Sequence, residues 1–451
     1  MATDLAGGLV SALEARRATV GVIGLGYVGL PLLACLHGAG HRVIGFDIDP
    51  AKPAALGRGE NYLPHLGVDL CRGFVASERF AATTDERELA RADACIICVP
   101  TPLGVHNEPD LSSVHRTGEM LGRVGVAGKL IVLESTSYPG TTRGQLWPAV
   151  VRGHLDAKHP GVLQLGVNVL LAFSPEREDP GRKDHTTKTI PKLVGGVDAA
   201  STRAAVALYA GAIDKVIAVR SAEVAEAAKV FENVFRAVNI ALANELKTVL
   251  EPMGIDVWEV IEAASSKPFG FMPFYPGPGL GGHCIPIDPY YLAWKAREHK
   301  VRARLIELAG EINTAMPERV VSAVARALSD RGLACKGAKV LVLGLAYKPD
   351  ISDVRESPSF ELIERLQSRG CVVRYADPHV PRTWAMRKHD LGLESSEPTP
   401  ENIAWADAVL ISTAHSAFDW PMIARHARLV VDTRNALAPW ANLMGERLHK
   451  A

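Results

Sequence analysis

The amino-acid sequence predicts an α/β protein in which a long central helix joins two Rossmann-like doubly wound domains. Three observations lead to this prediction. A glycine-rich turn connects a β-branched run to a helical pattern within residues 19–49. Residues 221–251 contain no glycine or proline, and strand-like runs alternate with helical patterns again from residue 338. Strands that alternate with helices form a parallel sheet that is covered on both faces.

The first predicted domain continues after this β-α-β unit. Apolar runs occupy 94–100, 129–136 and 169–175, and loops rich in Pro, Ser and Thr lie at their ends. In open α/β sheets, ligands bind at the carboxyl ends of the strands. We therefore expect the residues that end these runs to line a binding site.

The middle of the chain is predicted to be helical. Residues 221–251 repeat apolar positions at helical spacing, which predicts one helix of roughly 45 Å. A helix of this length suits a linker or the spine of a dimer. A loop rich in Pro and Gly follows at 267–289, and a helical pattern continues to about Met316.

The second α/β pattern lacks the glycine fingerprint of the first. Its strand-like runs are AKVLVLGLAYKPD, CVVRYADPHV, DAVLIST and LVVDTRN, the second of which ends at Asp377. These runs predict a second doubly wound domain.

The composition is that of an ordinary globular protein. At roughly 150 residues per domain, the 451 residues suggest two or three domains. Apolar residues make up 47% and charged residues 22% of the chain. Lys+Arg and Asp+Glu both number 50, so no basic excess indicates nucleic acid or a membrane surface as a partner. We expect neither.

We expect no membrane span and no signal peptide in this sequence. No apolar run approaches the roughly 18 residues that span a bilayer. The N-terminal sequence has its acidic residue early and its basic pair late, unlike a signal peptide. The seven cysteines are scattered and odd in number, so no disulfide framework is expected. A reducing, cytoplasmic compartment is the simplest expectation.

The segment Gly24-Leu25-Gly26-Tyr27-Val28-Gly29 is a GxGxxG turn between strand and helix. The first glycine permits the tight turn, the second lets a pyrophosphate approach and the third permits close helix packing. Asp47 ends the next strand, where an acid binds ribose hydroxyls and favours NAD over NADP. Lys52 follows closely and leaves NADP open. The alternative is a glycine turn kept for packing alone.

Cys284 lies in a loop between Gly281-Gly282-His283 and Ile285-Pro286-Ile287-Asp288. A cysteine is usually a small buried hydrophobe. Loops with such neighbours more often hold reactive groups. In a dinucleotide-binding enzyme, a thiolate can capture an aldehyde for a second hydride transfer.

Polar residues on the predicted helix and at two strand ends have two readings. Lys229 and Asn233 share one helix face, which is exposed in the simpler reading. Glu226 and Glu232 then pair with nearby bases at the surface. Glu176 follows a strand end, where an acid more often serves as a cap or ion pair. Thr136 follows another strand end, in Glu134-Ser135-Thr136.

Other features predict no chemistry. Cys95 and Cys98 form a CxxC inside an apolar strand, which indicates burial rather than a redox site. No second ligand pair accompanies His283 and Cys284, so we expect no zinc or other metal. The aromatic residues between Phe269 and Tyr275 are read equally well as packing or as a mobile lid.

Five motifs together resemble the UDP-glucose/GDP-mannose dehydrogenase family of nucleotide-sugar 6-dehydrogenases. In chain order they are GLGYVGLP, ESTxYPGTT, SPERxxPG, KxxENxxRAVNIxxxNE and GGHCIPIDP. The resemblance spans about residues 18 to 437. The longer strings SPEREDPG and KPFGFMPFYPGPGLGGHCIPIDPYYL look most like bacterial UDP-N-acetylglucosamine 6-dehydrogenases, which make uronic acids for O-antigen or capsule.

The resemblance implies a four-electron oxidation of a sugar C6 alcohol to a carboxylate, with two NAD reduced per sugar. Cys284 matches the family's nucleophile, which forms a thiohemiacetal and then a thioester. Lys229 and Asn233 match the groups that stabilise the oxyanion. Asp288 and Thr136 match residues that manage protons and a bound water, and Glu176 matches a carboxylate proposed as the base in thioester hydrolysis.

The resemblance also implies the binding residues. Those that match the family's NAD contacts are Gly24, Gly26, Tyr27, Val28, Asp47, Lys52, Thr101, Thr136 and Arg355. Those implied for the UDP-sugar are Glu176, Arg177, Lys229, Asn233, Tyr275, Gly281, Tyr347, Lys348 and Arg434. These cations suit a diphosphate, so a neutral chain needs positive potential only locally.

The family shares its long helix between subunits, so the resemblance implies a homodimer or a higher homo-oligomer. It divides the chain into an NAD-binding domain over 1–215, a central helical region with the cysteine loop over 216–320, and a UDP-sugar domain over 321–451. In one place the sequence departs from the pattern. The family's UDP-glucose enzymes often carry an inter-subunit arginine before the aromatic loop, where this chain has Lys267.

Three rival functions remain. The same chemistry on UDP-N-acetylmannosamine or UDP-glucose is the nearest. A two-electron 3-hydroxyacid or 6-phosphogluconate type of dehydrogenase shares the first half of the fold but has no need of Cys284. An inactive NAD- or UDP-sugar-binding regulator predicts the loss of Cys284, Lys229 or Asp288, and all three are present.

Overall fold

The structure is a computed structural model that describes residues 5–63, 67, 69–104, 106–178, 185–282, 284–386 and 388–451. The chain forms two compact units. The first consists of Met1–Glu232 and Tyr290–Val301, and the second of Asn233–Pro289 and Arg302–Ala451. No helix among the described residues is long and apolar enough to cross a membrane.

The first unit is built on one eight-stranded sheet. In sequence order its strands are β1 (Thr19–Ile23), β2 (Arg42–Phe46), β3 (Phe80–Thr83), β4 (Ala94–Ile97), β5 (Leu130–Leu133), β6 (Leu170–Phe173), β7 (Lys192–Gly196) and β8 (Val216–Ala218). In space they follow the order β3-β2-β1-β4-β5-β6-β7-β8. The helices of this unit are α1 (Leu5–Glu14), α2 (Gly29–Gly38), α3 (Ala51–Gly57), α4 (Arg72–Val75), α5 (Ser112–Val124), α6 (Trp147–Asp156) and α7 (Ala199–Tyr209).

The predicted parallel sheet is present with one exception. All neighbouring strands run parallel apart from β6 and β7, which pair antiparallel through Ala172↔Gly196 and Phe173↔Gly195. A parallel return needs a crossover of a dozen or more residues, usually a helix. The described residues of the 174–191 connection contain no helix, so the chain enters β7 in the opposite direction.

Two helices extend from one unit to the other along the chain. They are α8 (Ala222–Leu250) and α10 (Asp288–Glu298). The long helix predicted over 221–251 is therefore present with almost the same bounds. The predicted helical stretch that follows is divided into separate helices.

The second unit carries a five-stranded parallel sheet, in the order β10-β9-β11-β12-β13. Its strands are β9 (Lys339–Leu343), β10 (Val372–Ala376), β11 (Ala408–Ile411), β12 (Val430–Asp432) and β13 (Leu448–Lys450). Its helices are α9 (Val257–Ser265), α11 (Arg304–Thr314), α12 (Met316–Ser329), α13 (Pro358–Ser368), α14 (Pro400–Trp405), α15 (Trp420–His426) and α16 (Ala441–Met444).

Strand β9 shows why these runs are apolar at every position. Val340 and Val342 pack with α12 and α13 on one face of the sheet. Leu341 and Leu343 pack with α14 and α15 on the other. Both faces are buried, so a parallel strand needs a continuous apolar run. The α/β class with two doubly wound sheets is confirmed.

Candidate functional site

The glycine turn at the end of β1 has the geometry that its three glycines require. Gly24 has φ +91°, and a Cβ there would lie 2.6 Å from the carbonyl oxygen of Cys98. A Cβ on Gly29 would lie 1.9 Å from the carbonyl oxygen of Gly24, so α2 begins tightly against the turn. A Cβ on Gly26 would meet nothing within 4 Å. The open side of the turn therefore lies at the second glycine, next to the N-terminus of α2, where a phosphate is stabilised.

Asp47 follows β2 and faces this turn. Its side chain accepts hydrogen bonds from the backbone N–H of Leu25 at 2.8 Å and from Lys52 Nζ at 2.8 Å. It is 6% exposed. Lys52 is thus paired with the acid expected to bind the ribose. Tyr27 and Val28 are half-buried within the turn.

Two threonines come together at the carboxyl ends of β4 and β5. The hydroxyl of Thr101 donates to the carbonyl oxygen of Thr136 at 2.8 Å. The carbonyl oxygen of Thr101 accepts from the hydroxyl of Tyr291 at 2.9 Å. Both threonines therefore lie at the sheet edge that the glycine turn also occupies.

Glu176 follows β6 at the same edge. Its Oε1 accepts from the backbone N–H groups of Arg177 at 2.7 Å and Glu178 at 2.6 Å, and its Oε2 lies 3.3 Å from Lys192 Nζ. Burial opposes charge on Glu176, but Lys192 and these N–H groups favour it more, and the net pKa lies below the usual value. Glu176 is ionised at neutral pH.

The side chain of Arg177 contacts Glu232 and Pro191 of the first unit. Its guanidinium forms an ion pair with Glu232 at 2.6 Å and donates to the carbonyl oxygen of Pro191 at 2.8 Å. Residues 179–181 of the SPEREDPG string lie outside the described residues.

The face of α8 that carries Lys229 and Asn233 is buried, not exposed as in the simpler of its two readings. Lys229 is 6% and Asn233 1% exposed. Glu226 is fully buried and accepts from the backbone N–H groups of Gly140 at 2.5 Å and Thr142 at 2.8 Å. Burial raises the pKa of Glu226 to about 7, although these donors oppose the rise. The simpler reading was wrong because the partners lie some 84 to 86 positions away in sequence.

The second unit brings Cys284, Asn233 and Asp288 together. The carbonyl oxygen of Cys284 accepts the backbone N–H of Asp288 at 2.9 Å, which closes a turn at the start of α10. The Asn233 amide donates to the Asp288 carboxylate at 2.5 Å and accepts from Arg236 at 2.6 Å. Cys284 is half-buried, whereas Asp288 is 2% exposed. His283 lies outside the described residues.

The cysteine loop is packed on the loop that follows β9. A Cβ on Gly281 would lie 2.4 Å from Cβ of Tyr347, and one on Gly282 3.0 Å from its ring. The backbone N–H of Gly282 donates to the carbonyl oxygen of Arg355 at 3.0 Å. The Arg355 guanidinium pairs with Asp353 at 2.7 Å. At positions 281 and 282, only glycine permits this close contact with Tyr347.

Arg434 lies against the aromatic part of the same loop. A Cβ on Gly277 would lie 2.6 Å from its guanidinium, whose Nε donates to the carbonyl oxygen of Ser412 at 2.7 Å. Burial lowers the pKa of Arg434 to about 10, so it stays charged at neutral pH. The ring of Tyr275 stacks on Trp258 at 5.4 Å between centroids.

Two further lysines were singled out from the sequence. Lys348 is half-buried and directly follows Tyr347. Lys267 lies over the ring of Phe269, with its Nζ 5.1 Å from the ring centroid.

The second domain repeats the turn of the first without its fingerprint. Gly344 has φ +85°, and the backbone N–H of Leu345 donates to Asp377 at 2.6 Å, as that of Leu25 does to Asp47. Asp377 also accepts from His415 Nε2 at 3.0 Å, and His415 Nδ1 accepts from the backbone N–H of Asp350 at 2.9 Å. This network fixes the loop after β9.

Asp350, His379 and His415 have ligand atoms within 4.8 Å of one another. Because both ring nitrogens of His415 already form hydrogen bonds, we assign no metal to this group.

Sequence reasoning did not single out Lys192, which contacts Glu176, or Arg236, which contacts Asn233. Arg236 had a usable signal, because it lies three positions after Asn233 on one helix face. Lys192 had none, since a lysine that begins an apolar run is commonplace.

Comparison with known proteins covers nearly the whole chain. The NAD binding domain of the UDP-glucose/GDP-mannose dehydrogenase family matches residues 18–213, its central domain 223–315 and its UDP binding domain 341–439. The UDP-N-acetyl-D-glucosamine 6-dehydrogenase of Pseudomonas aeruginosa is 36% identical over 88% of this chain and 91% of that protein. The UDP-N-acetyl-D-mannosamine dehydrogenase of Salmonella typhi is 35% identical over 92% of this chain and 98% of that protein.

The fold comparison agrees. The structure of a UDP-D-ManNAc dehydrogenase from Pyrococcus horikoshii superposes with a TM-score of 0.82 at 31% identity, covering 93% of this chain and 96% of that one. The fold and the matched domains define an NAD-dependent oxidoreductase that acts on nucleotide sugars. The chain belongs to the UDP-glucose/GDP-mannose dehydrogenase family.

Proposed function

We propose that this enzyme oxidises the C6 hydroxyl of UDP-N-acetylglucosamine to the carboxylate, with two NAD consumed per sugar. The observation that carries the proposal is the turn in which Cys284 precedes Asp288, whose carboxylate accepts the amide of Asn233. A two-electron dehydrogenase has no use for a cysteine held beside an acid and an amide in this way.

NAD, when bound, accepts one hydride in each of two oxidations. The residues that hold it are those of the glycine turn with Asp47 and Lys52, the Thr101–Thr136 pair, and Arg355. The turn fits a dinucleotide because it is open at Gly26 and closed at Gly24 and Gly29. An acid at the position of Asp47 favours the ribose hydroxyls of NAD.

In the first oxidation, the sugar loses a hydride from C6 and the proton of its hydroxyl, and so becomes an aldehyde. The Cys284 sulfur then bonds to the aldehyde carbon, and its proton passes to the oxygen to complete a thiohemiacetal. Lys229 and Asn233 stabilise the negative charge that develops on that oxygen. Asp288 and Thr136 hold the protons and the water that take part.

In the second oxidation, the thiohemiacetal loses a hydride and a proton and becomes a thioester. The carboxylate of Glu176 then removes a proton from water as the water oxygen attacks the thioester carbon. The carbon–sulfur bond breaks, Cys284 leaves as a thiolate and the acid is released. A carboxylate whose pKa lies below its usual value is present as a base at neutral pH.

The second unit supplies the groups proposed for the UDP-sugar. Tyr275, Gly281, Tyr347, Lys348 and Arg434 all belong to it. The Arg434 guanidinium suits a diphosphate oxygen. Glu176, Arg177, Lys229 and Asn233 are proposed for the sugar end. On the same roles we propose an NAD domain over 1–215, a central region over 216–320 and a UDP-sugar domain over 321–451.

The choice of sugar rests on similarity to named relatives. The relative with 36% identity is a UDP-N-acetyl-D-glucosamine enzyme, and others act on UDP-N-acetyl-D-mannosamine. UDP-N-acetylmannosamine and UDP-glucose are therefore the alternative substrates, and the product serves surface polysaccharide synthesis in the proposal.

An apolar stripe on α8 supports a homodimer. Phe235, Leu242, Leu246 and Val249 recur at near-heptad spacing, and each is at least 42% exposed. A stripe of this spacing is the seam that a second helix covers. We propose a second copy of this chain as its partner.

The test is the yield of NADH with UDP-N-acetylglucosamine limiting and NAD in excess. About two NADH per sugar support the proposal, and about one would identify the aldehyde as the product. No NADH with any of the three sugars would reject it. Cys284→Ser is expected to abolish turnover, because a serine alkoxide forms far less readily than a thiolate. Cys35→Ser is the matched control, since its hydroxyl keeps the donor to Ala212.

A further inference from the structure

A buried network of charges lies behind Glu176 in the first unit. Lys192 Nζ is 3.0 Å from a carboxylate oxygen of Glu134 and 3.3 Å from one of Glu176. The hydroxyl of Tyr209 donates to the other oxygen of Glu134 at 2.5 Å. Lys192 is 4% exposed, Glu134 is 1% exposed and Tyr209 is fully buried. One buried cation thus pairs with two carboxylates, of which the side chain of Glu134 is fully buried and that of Glu176 is 13% exposed.

The two carboxylates differ in their other partners. Glu134 accepts only Lys192 and Tyr209 among the side chains of the described residues. Glu176 accepts two backbone N–H groups on its Oε1 besides Lys192 on its Oε2. Both oxygens of Glu176 are therefore directed by fixed donors, and Lys192 is the charged one. Removing one partner from such a group leaves an uncompensated buried charge.

We propose that Lys192 is the positioning residue that keeps the carboxylate of Glu176 ionised and aligned as the base of thioester hydrolysis, with Glu134 and Tyr209 holding Lys192 in place. This inference rests on the proposed function, in which Glu176 takes the proton from water. Lys192 acts through Glu176 and forms no bond to the sugar.

The electrostatic balance around Glu176 supports this role. Burial opposes charge on both Lys192 and Glu176, yet the charge of Glu134, and then that of Glu176, raises the pKa of Lys192, and the charge of Lys192 lowers the pKa of Glu176. Glu134 supplies a second negative charge to Lys192, and burial raises its own pKa. The base therefore remains ionised although its side chain is only 13% exposed.

The other titratable groups near Glu176 come from several elements. They are Lys229 of α8, which lowers the pKa of Glu176, Glu178 of the same loop, Tyr209 of α7, Cys98 after β4 and Cys35 of α2, whose pKa burial raises to about 11. The pKa values of Tyr209 and Cys98 are raised by burial, so both remain neutral at neutral pH. Among these groups, the charge of Lys192 lowers the pKa of Glu176 more than that of Lys229 does.

The test uses the double variant Lys192→Met/Glu134→Gln. Lys192→Met alone leaves two buried carboxylates without a cation and risks misfolding. In the double variant one of these charges is removed as well, and the glutamine carbonyl still accepts from Tyr209. Lys192→Arg, which keeps the charge, is the conservative control. Thermal unfolding verifies that each variant is folded.

The first readout is the pKa of Glu176 itself. It is measured by carbon NMR of protein labelled at the glutamate carboxyl carbons, with Glu176→Gln to assign the signal. We expect a pKa below the usual value in the unsubstituted protein and in Lys192→Arg, and a value above it in the double variant. An unchanged pKa in the folded double variant overturns the inference whatever the activity.

The second readout is the pH dependence of kcat. We expect its acid limb to move upward with the pKa of Glu176, so that a rise of one pKa unit costs about tenfold in kcat below that limb. KM for NAD and for the sugar should change by less than about twofold. A uniform loss of kcat at every pH indicates a merely structural role and overturns the inference.

The two proposals fail in different ways. A raised Glu176 pKa with an unmoved pH profile rejects Glu176 as the base, and the inference with it. Two NADH per sugar in the unsubstituted protein would still uphold the four-electron oxidation. A yield of one NADH rejects that oxidation directly, without any variant.

Discussion

Gly281→Ala tests how closely the cysteine loop must approach Tyr347. A Cβ at position 281 would lie 2.4 Å from Cβ of Tyr347 and 3.2 Å from Cδ of Pro358. Carbon atoms in contact are about 3.5–4.0 Å apart, so the two backbones must separate by about 1 Å or more. Gly281 has no positive φ, so alanine adds crowding without backbone strain. A displacement of about 1 Å at a reacting group costs on the order of 100-fold in rate.

The expected result is a loss of about 100-fold in kcat, because Cys284 follows three residues later in the same loop. The assay is steady-state NADH formation, together with NAD binding by calorimetry. NAD affinity should change far less than kcat, since the glycine turn and Asp47, which supply most of the proposed NAD contacts, belong to the other unit. Gly57→Ala is the control, as an added Cβ there meets nothing within 4 Å. A folded Gly281→Ala protein with kcat within about twofold of normal refutes the argument.

Three more predictions follow from other parts of the chain. Asp47→Ala should weaken NAD binding about 10- to 150-fold, because hydrogen bonds to a charged group are lost, and should leave UDP binding unchanged. Calorimetry measures both affinities, and an unaltered NAD affinity contradicts the assignment of the glycine turn to NAD. Burial raises the pKa of Glu226 from 4.5 to about 7, so between these pH values Glu226 is protonated in the native state and ionised in the unfolded state. Its contribution to the free energy of unfolding is therefore fully present below pH 4.5 and is lost as the pH rises to about 7. The free energy of unfolding of Glu226→Gln should therefore vary less over this pH range than that of the unsubstituted protein, by on the order of 3 kcal/mol. Thermal unfolding measures it, and an equal pH dependence in the two proteins contradicts the prediction. Leu242→Glu should halve the mass measured by light scattering, because it places a charge in the proposed dimer interface on α8. An unchanged mass contradicts that interface.

Much of the fold is predictable because its signals are local. The run from Thr19 to Asp47 contains strand, glycine turn, helix and acid in order, and the structure forms β1, α2 and β2 there. The apolar continuity of β9 reports burial on both faces, as parallel strands require. The antiparallel entry of β7 has no such signal, because strand direction depends on the path of the 174–191 connection.

The site is predictable only where its motif is contiguous. Cys284 and Asp288 lie in one short string, and the structure joins them through one turn. The burial of Glu226 depends on Gly140 and Thr142, which belong to a distant segment. The pairing of Lys192 with Glu134 likewise joins residues 58 positions apart. Single-sequence patterns do not report such tertiary partners.

The hydrogen bond from Gly282 to Arg355 has a consequence for anyone who wishes to redesign this enzyme. It joins the segment that carries the Cys284 thiol to the segment that follows β9. At Gly281 and Gly282 the first segment lies so close to Tyr347 that an added Cβ would be 2.4 Å and 3.0 Å from its side chain. In a chimaera whose C-terminal domain comes from a relative with a different sugar substrate, the two segments would therefore no longer fit each other at this contact. Grafts should exchange 277–289 and 344–358 as one cassette.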